Sequence, residues 1–277
     1  MTANNLTVII LTYNEEIHID RVIRNVKPWA QKVVILDSGS NDKTLEIIRS
    51  NGISVYFRAF DNYSNQRNYA IKNLDITTDW ILFLDADEYL SEELKIEIDL
   101  SIKDSDCEGF YLRRRFYFMG KWIKFGGYYP TYILRLFKKD CGYFQREINE
   151  HFVIEGKTSF LKNDFVDDNI KPFEFWAKKH IDYAKLEGLD LYESNRISDQ
   201  KKHNISFNSK DFKHWMRYRI FNKLPSILRP LIYFTYIYIF RLGFLNGFPG
   251  FIYHINHDFI YRFQIETFYW INKKNKG

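Results

Sequence analysis

Residues 80–88 read Trp-Ile-Leu-Phe-Leu-Asp-Ala-Asp-Glu, an apolar run that ends abruptly in carboxylates. Such a run is typical of a buried strand that reaches the C-terminal edge of a sheet, where open α/β sheets bind their ligands. In extended backbone Asp85 and Asp87 share one face, and two anions that close repel unless one is protonated or a cation lies between them. The stretch therefore favours a divalent cation bound together with a substrate diphosphate. The alternative is a strand that simply ends in solvated acid.

Strands alternate with helices on the N-terminal side of this stretch. The expected elements are strands at 6–12, 33–36 and 54–57 and helices through 19–26, 45–48 and 64–74. This alternation predicts a mainly parallel sheet with right-handed crossovers. Polar residues follow three of the strands, at 12–15, 37–40 and 85–88. Because the ends of parallel strands point the same way, these residues predict a single ligand site.

A nucleotide fits the chemistry of these side chains. Asp37 is suited to accept a hydrogen bond from a base N–H or a ribose hydroxyl, Asp85 to reach the ribose, and Asp87 to bind the metal. Arg67 offers its guanidinium fork to a diphosphate. The simpler alternatives are that Asp37 caps the following helix and that Arg67 forms a surface ion pair.

Four segments in the first half of the chain resemble the inverting family 2 glycosyltransferases of GT-A fold. They are Thr12-Tyr13-Asn14-Glu15, Asp37-Ser38-Gly39-Ser40-Asn41-Asp42-Lys43-Thr44, Gln66-Arg67-Asn68 and Leu84-Asp85-Ala86-Asp87-Glu88. The order and rough spacing are most similar to the bacterial branch that builds lipopolysaccharide core and other surface polysaccharides. The resemblance implies a nucleotide-sugar donor, most commonly a UDP-sugar, a divalent cation (Mg²⁺ or Mn²⁺), and inversion at the anomeric carbon.

The resemblance also assigns roles to individual residues. The donor-binding residues are Thr12, Asn14 and Asp37 near the base and ribose, with Glu15 beside them, Arg67 near the diphosphate, and Asp85 on the ribose side. Asp87 is implied to be the principal metal ligand. Arg135-Leu136-Phe137 resembles an Arg-Leu-Phe element that lies near the acceptor in this family.

Inversion needs a general base that deprotonates the acceptor hydroxyl as it attacks opposite the leaving diphosphate. Glu150, in Ile148-Asn149-Glu150-His151, is the candidate, because the family shows a similar short element here. Many family members instead place this base in a Glu-Asp pair, which the chain lacks at that point. Asp167 and Asp168 are the reserve candidates.

Composition limits the partners. The chain has 277 residues and a net charge of +5, an excess that suits phosphorylated substrates or anionic lipid headgroups and is too small to predict nucleic-acid binding. Its two cysteines have no metal-binding spacing, which favours a reducing compartment. The first six residues show no basic-then-apolar pattern, so we expect no signal peptide.

The second half of the chain is rich in aromatic residues. A long helix is expected at 173–198, and an apolar run at 231–240 is too short to span a bilayer. Tyrosines in the run and basic flanks, including the tail at 273–276, favour contact with the membrane surface, the alternative being a simple core. Residues 241–247 resemble a family element, Arg-Leu-Gly-Phe-Leu-Asp-Gly, with Asn246 replacing its Asp.

We therefore predict an α/β chain with a GT-A type, Rossmann-like, mainly parallel mixed sheet flanked by helices. Residues 1–170 form the nucleotide-sugar-binding and catalytic domain, and 171–277 a helical, aromatic-rich region. The predicted function is sugar transfer to a saccharide or lipid-linked acceptor in surface polysaccharide or lipopolysaccharide biosynthesis, peripherally at the cytoplasmic face of the membrane. The alternatives are a nucleotidyltransferase and a non-catalytic, membrane-associated nucleotide-binding protein.

Overall fold

The computed structural model describes residues 4–103, 105–145, 151–200, 225 and 228–276. The chain divides into two compact units. The first comprises Met1–Lys124 and Tyr128–Ile170, and the second Phe125–Gly127 and Lys171–Gly277. The second unit therefore takes in a three-residue loop from within the first half of the chain.

The described part of the first unit contains eleven strands and four helices. The strands are β1 (Asn4–Thr12), β2 (Ala30–Asp37), β3 (Ser54–Phe57), β4 (Trp80–Asp85), β5 (Glu88–Leu90), β6 (Gly109–Phe118), β7 (Lys121–Trp122), β8 (Thr131–Lys138), β9 (Gly142–Gln145), β10 (His151–Ile154) and β11 (Thr158–Asp168). The helices are α1 (Ile19–Val26), α2 (Thr44–Ser50), α3 (Tyr63–Asn73) and α4 (Glu92–Lys103).

Nine of these described strands form one mixed sheet. Its order is β3-β2-β1-β4-β8-β6-β11-β5, with β7 paired to β6, while β9 and β10 form a separate antiparallel pair. The first four strands are all parallel, β8 is antiparallel to both its neighbours, and β11 is parallel to β6. The predicted class, a GT-A type α/β fold with a mixed sheet flanked by helices and a helical C-terminal region, is confirmed.

The apolar runs are continuous because each central strand is buried on both faces. On β1, Val8 and Ile10 face one core layer, which includes Val22 of α1, while Ile9 faces a second layer that includes Phe83 of β4. All five of these side chains are fully buried. The two layers hold the ends of β1, β2 and β4 at one edge, with Thr12 paired to Asp37 and Leu11 to Asp85.

One sequence expectation for this unit is wrong, and one strand was not predicted. Strand β4 ends at Asp85, and Ala86 and Asp87 form a turn before β5, so Asp85 and Asp87 do not share a face of extended backbone. The sequence prediction also assigned no element to Thr158–Asp168. This stretch is β11, which packs beside β6 and brings a second group of carboxylates into the sheet.

All the secondary-structure elements in the described part of the second unit are helical. Its elements are α5 (Phe173–Gln200), α6 (Leu228–Thr235), a π-helical segment (Tyr236–Phe240), a 3-10 turn (Gly243–Asn246), α7 (Gly247–His254), a second π-helical segment (Ile255–Tyr261) and α8 (Arg262–Lys276). No single helix in the described part is both long and apolar enough to cross a bilayer. The arms Leu228–Phe240 and Gly243–Asn275 meet that test only together, and they are bent by 69°.

Asn246 is the centre of a buried polar network in this unit. Its Oδ1 accepts from the Phe125 N–H at 2.9 Å, and its Nδ2 donates to the Phe125 carbonyl at 3.1 Å and to Nε2 of His254 at 3.0 Å. Nδ1 of His254 then donates to Asp258 at 2.7 Å. An ionised aspartate only accepts hydrogen bonds, so it would leave the Phe125 carbonyl without this donor. The amide is therefore matched to its surroundings where the resembled family has Asp.

Candidate active site

Thr12 carries a buried hydroxyl with no hydrogen-bond partner in the described part of the chain. It is the last residue of β1, is 4% exposed, and its carbonyl accepts from the Ser38 N–H at 3.0 Å. A buried hydroxyl without a partner costs free energy unless something else satisfies it. Its position beside the strand ends is therefore consistent with a hydrogen bond to a bound ligand.

Asp37 organises the loop that follows β2. Its Oδ1 accepts from the backbone N–H groups of Gly39 and Ser40, both at 2.8 Å, and its Oδ2 accepts from the Ser40 hydroxyl at 2.5 Å. Gly39 has φ +100°, a conformation that favours glycine. The alternative that Asp37 caps the following helix is wrong, because the residue at the start of α2 is Lys43.

The loops after β1 and β2 are joined by hydrogen bonds. Asn14, in the left-handed region at φ 53°, donates its N–H to the Ser40 hydroxyl at 2.8 Å and accepts from the Asn41 N–H at 2.9 Å. The Glu15 N–H donates to the Thr44 hydroxyl at 2.7 Å. The predicted donor residues Asn14 and Glu15 are thus held in a rigid double loop next to Asp37.

Glu15 also fixes a buried histidine. Its Oε2 lies 2.6 Å from Nδ1 of His18, and Nε2 of His18 lies 2.9 Å from the Ile170 N–H. A backbone N–H can only donate, so Nε2 is the acceptor and Nδ1 carries the proton. This contact ties the start of α1 to the segment after β11 and occupies one oxygen of Glu15.

Asp85 is held by two buried arginines. Nη2 of Arg67 contacts its Oδ1 at 3.0 Å, and Nη2 of Arg135 contacts its Oδ2 at 2.9 Å. Arg67 is 2% exposed, so the alternative that it forms a surface ion pair is wrong. Both oxygens of Asp85 are occupied by cations, which leaves this carboxylate poorly placed to bind a metal as well.

Arg135 also pairs with Glu88, which is buried beneath Asp85. The same Nη2 contacts Oε1 of Glu88, and the other oxygen of Glu88 accepts from the Asp85 N–H at 2.9 Å. Burial raises the pKa of Glu88 well above its usual value, while the Arg135 guanidinium opposes that rise. Glu88 therefore depends on Arg135 for its charged form.

Asp87 projects from the turn between β4 and β5. Its Oδ2 accepts from Nδ2 of Asn169 at 2.8 Å, and its carbonyl accepts from the Asp168 N–H and from Nη2 of Arg21, both at 3.1 Å. Arg21 also contacts Oδ2 of Asp168 at 2.9 Å. The end of β11 therefore fixes Asp87, and Asp168 is committed to Arg21.

Asp167 lies next in this group and pairs in register with Glu88. Burial, and then the negative charge of Asp87, raise the pKa of Asp167 to about 7, against the opposing charge of Arg114. Nη1 of Arg114 lies 3.4 Å from Oδ2 of Asp167. The group thus holds excess negative charge around Asp87 and Asp167, which a cation would relieve.

Carboxylate oxygens are the ligands that Mg²⁺ and Mn²⁺ prefer, so Asp87 and Asp167 fit such an ion chemically. In the part of the chain that the structure describes, no three His, Cys, Asp or Glu side chains are grouped to hold a metal by themselves. A cation here would need further ligands from substrate phosphates or water.

The structure brings most of the predicted site residues together. Those at this edge of the sheet are Thr12, Asn14, Glu15, Asp37, Arg67, Asp85 and Asp87. Glu150, the predicted base, lies outside the described residues. The reserve candidates Asp167 and Asp168 end β11.

The sequence prediction missed the pairing roles of Arg21, Glu88 and Arg135. Arg135 had a usable signal, since it is the one charged residue within the apolar strand segment Tyr132–Phe137. A charge inside a buried strand needs a buried partner, and the carboxylates at the end of β4 were the nearest candidates. Arg21 gave no comparable signal on its helix.

A family model described as glycosyl transferase family 2 matches residues 7–166, more than half of the chain. The chain belongs to this family.

Relatives and solved structures are similar over parts of the chain. A glycosyltransferase of Rickettsia bellii is 38% identical over 99 residues, 36% of this chain and 33% of that protein. The 4,4'-diaponeurosporenoate glycosyltransferase of Staphylococcus haemolyticus is 31% identical over 103 residues, 35% and 28% of the two proteins. Glucosyl-3-phosphoglycerate synthase from Mycobacterium tuberculosis, solved with Mn²⁺, UDP and glucosyl-3-phosphoglycerate, covers 41% of this chain and 44% of that chain, at 17% identity and a TM-score of 0.35. The chain spans about a third of the length of these curated relatives.

The hydroxyl of Thr12 allows a test of the predicted donor site. We expect Thr12→Val to stabilise the ligand-free protein slightly, since it removes a buried hydroxyl that has no described partner, and to weaken donor binding about 3–10-fold, the value of one hydrogen bond. Thermal unfolding with and without UDP measures both. The matched control is Thr7→Val, which breaks the buried Thr7–Thr78 hydroxyl contact at 2.7 Å and is expected to destabilise. A destabilised Thr12→Val with unchanged donor affinity would contradict this role.

Proposed function

We propose that this chain transfers a sugar from a nucleotide-sugar donor, a UDP-sugar, to a saccharide or lipid-linked acceptor with inversion. Membership of glycosyl transferase family 2 supports the reaction class. The observation that carries the proposal is the arrangement at the end of β4, where Arg67 and Arg135 hold Asp85 at the same edge of the sheet as Thr12, whose buried hydroxyl has no partner among the described residues. Paired guanidinium groups at the edge of a parallel sheet suit a nucleotide diphosphate.

In this proposal the double loop binds the nucleoside. Thr12 and Asn14 lie by the base and ribose, and Asp37 turns the loop so that its backbone faces them. Asp85, held by two arginines, accepts from a ribose hydroxyl, and Arg67 offers its guanidinium to the diphosphate. The hydrogen bonds within the loop preorganise it, so donor binding orders few further groups.

Asp87 and Asp167 are the residues that would hold Mg²⁺ or Mn²⁺. When bound, such an ion stabilises the negative charge that develops on the leaving diphosphate. The contacts from Asn169 and Arg21 fix the direction of Asp87 before any ligand binds. Asp168 is a poor candidate for the general base, since Arg21 holds its carboxylate at 2.9 Å.

Glu150 is the proposed general base. We expect Glu150→Gln to bind the donor normally and to lose transfer by about 10²–10⁴-fold, because the amide cannot accept the acceptor proton. Release of UDP with a sugar acceptor, measured beside donor binding by thermal shift, gives both values. Glu155→Gln, an exposed glutamate five residues on, is the matched control. Near-normal turnover in Glu150→Gln would remove the assignment of Glu150 as the base.

We further propose that the enzyme works in surface polysaccharide or lipopolysaccharide biosynthesis, at the cytoplasmic face of the membrane, in peripheral contact with it. The exposed apolar side chains of the second unit, Phe240 and Phe248 among them, support this contact. Transfer to lipid-linked saccharides, compared with the same saccharides free in solution, tests the acceptor class. Equal rates on both would contradict a lipid-linked acceptor.

A further inference from the structure

The second unit exposes a run of large apolar side chains where its helices turn back. The exposed residues are Phe240, Leu242, Phe244, Leu245 and Phe248, with exposures between 45% and 73%. We call these five residues the apolar tip. So many exposed aromatic and aliphatic residues within nine positions form a patch that marks an interaction surface.

The apolar tip lies at the bend between two helical arms. The arms Leu228–Phe240 and Gly243–Asn275 are bent by 69° at the break between them, and together they are long and apolar enough for a bilayer. The first arm, at about 1.5 Å per residue, reaches about 20 Å, against a hydrocarbon core of about 30 Å. The first arm is therefore too short to cross the hydrocarbon core by itself.

The polar groups beneath the tip are satisfied from within. The amide of Asn246 bonds to both polar groups of Phe125 and to His254, which in turn bonds to Asp258. The side chains of Asn246, His254 and Asp258 are almost fully buried. Polar groups that enter a bilayer must have such internal partners. The guanidinium of Arg241 lies against Gly127, whose missing side chain leaves room for it.

The charges of the two arms suit an anionic surface. Residues 228–276 contain six Arg and Lys and two Asp and Glu. Both acids are paired inside the unit, Asp258 with His254 and Glu266 with Arg229. The outward charge of the arms is therefore basic, as expected beside anionic headgroups.

We infer that the two arms form a re-entrant hairpin that inserts its apolar tip into one leaflet of an anionic membrane. This inference deepens the membrane contact proposed above and needs no assumption about donor or base. Apolar burial holds the tip, and the basic residues bind lipid phosphates.

Vesicle sedimentation of the full chain, without donor or acceptor, tests the insertion. We expect binding to phosphatidylglycerol-containing vesicles that weakens, without vanishing, in 1 M salt. Leu245→Ser with Phe248→Ser should bind at least roughly 30-fold more weakly, since two large apolar groups lose their burial. The matched control, Leu100→Ser with Phe160→Ser, changes residues that are 71% and 58% exposed in the first unit and should bind as the parent does. Both variants should keep the thermal shift with UDP, which separates loss of insertion from loss of the donor site.

The depth of insertion is measured with Phe248→Cys, introduced into a chain in which Cys107 and Cys141 have been replaced by serine. When bound, its thiol should resist a membrane-impermeant maleimide supplied outside the vesicles and the same reagent trapped inside. Reaction from inside would show a spanning segment, and reaction from outside a surface contact, and either overturns the inference. The inference is also overturned if Leu245→Ser with Phe248→Ser binds vesicles as the parent does while the parent forms a dimer that this variant cannot form. That result would show that the apolar tip contacts a second copy of the chain.

Discussion

Arg135→Met is expected to lower the free energy of unfolding by about 3–5 kcal/mol, the cost of breaking a buried ion pair by removing one partner. Arg135 is 7% exposed and pairs with both Asp85 and Glu88. Its loss therefore leaves the buried Glu88 carboxylate without this counter-ion. Urea unfolding followed by circular dichroism measures the change. Arg24→Met, at an arginine whose side chain is 76% exposed in a helix-surface pair with Asp20, is the matched control and should change stability little.

The same variant should show a distinct pH dependence. Burial already raises the pKa of Glu88, and without Arg135 that pKa rises further. A carboxyl group whose folded pKa lies above its unfolded value favours the folded state at low pH and loses that contribution as pH rises through the folded pKa. The difference in free energy of unfolding between wild type and Arg135→Met should therefore be smaller at pH 5 than at pH 8. An equal gap at both values would show that Glu88 does not rely on Arg135.

Asp87→Asn is expected to reduce kcat/KM for sugar transfer by about 10³-fold or more, because Asp87 is the proposed metal ligand and stabilisation of the leaving charge by a metal is worth several kcal/mol. The amide still accepts from Asn169, so the fold should persist. Transfer assays with Mn²⁺, beside thermal shifts with Mn²⁺ and UDP together, measure the loss. Near-normal turnover would show that Asp87 does not bind the metal in the reaction.

The matched control for Asp87→Asn is Asp75→Asn. Asp75 is another aspartate of the first unit, but its carboxylate pairs with Lys32 and its side chain is 66% exposed. We expect full activity from it. A similar loss in both variants would point to a general effect of charge rather than to a metal ligand.

The parallel part of the fold could be predicted because its signals are local. The strand Ser54–Phe57 and the helix that begins at Phe173 start where the sequence patterns place them. The edge that gathers Thr12, Asp37 and Asp85 follows from strand alternation alone, because parallel strands end on the same side.

The rest of the site depends on contacts between distant residues. Asp87 lies in a turn, which the spacing of two acids does not reveal, and its surroundings come from Arg21 and Asn169, 66 and 82 positions away. Strand β11 mixes apolar and charged residues because Asp164 and Asp167 pair with arginines of β6. Its sequence therefore lacks the pattern of a buried strand. The role of Glu150, outside the described residues, stays a prediction.

The π-helical segment Ile255–Tyr261 limits how this half of the protein can change in length. A π turn holds one more residue than an α turn, and each residue rotates an α-helix by about 100°. Deleting one residue from this segment, and so restoring an ordinary helix, would swing everything after it around the helical axis. Tyr261 would leave Glu187, and Arg262 would leave the ring of Tyr233, on which it is stacked at 3.5 Å. Length variants in this family are therefore expected to spare this segment and to fall before or after it.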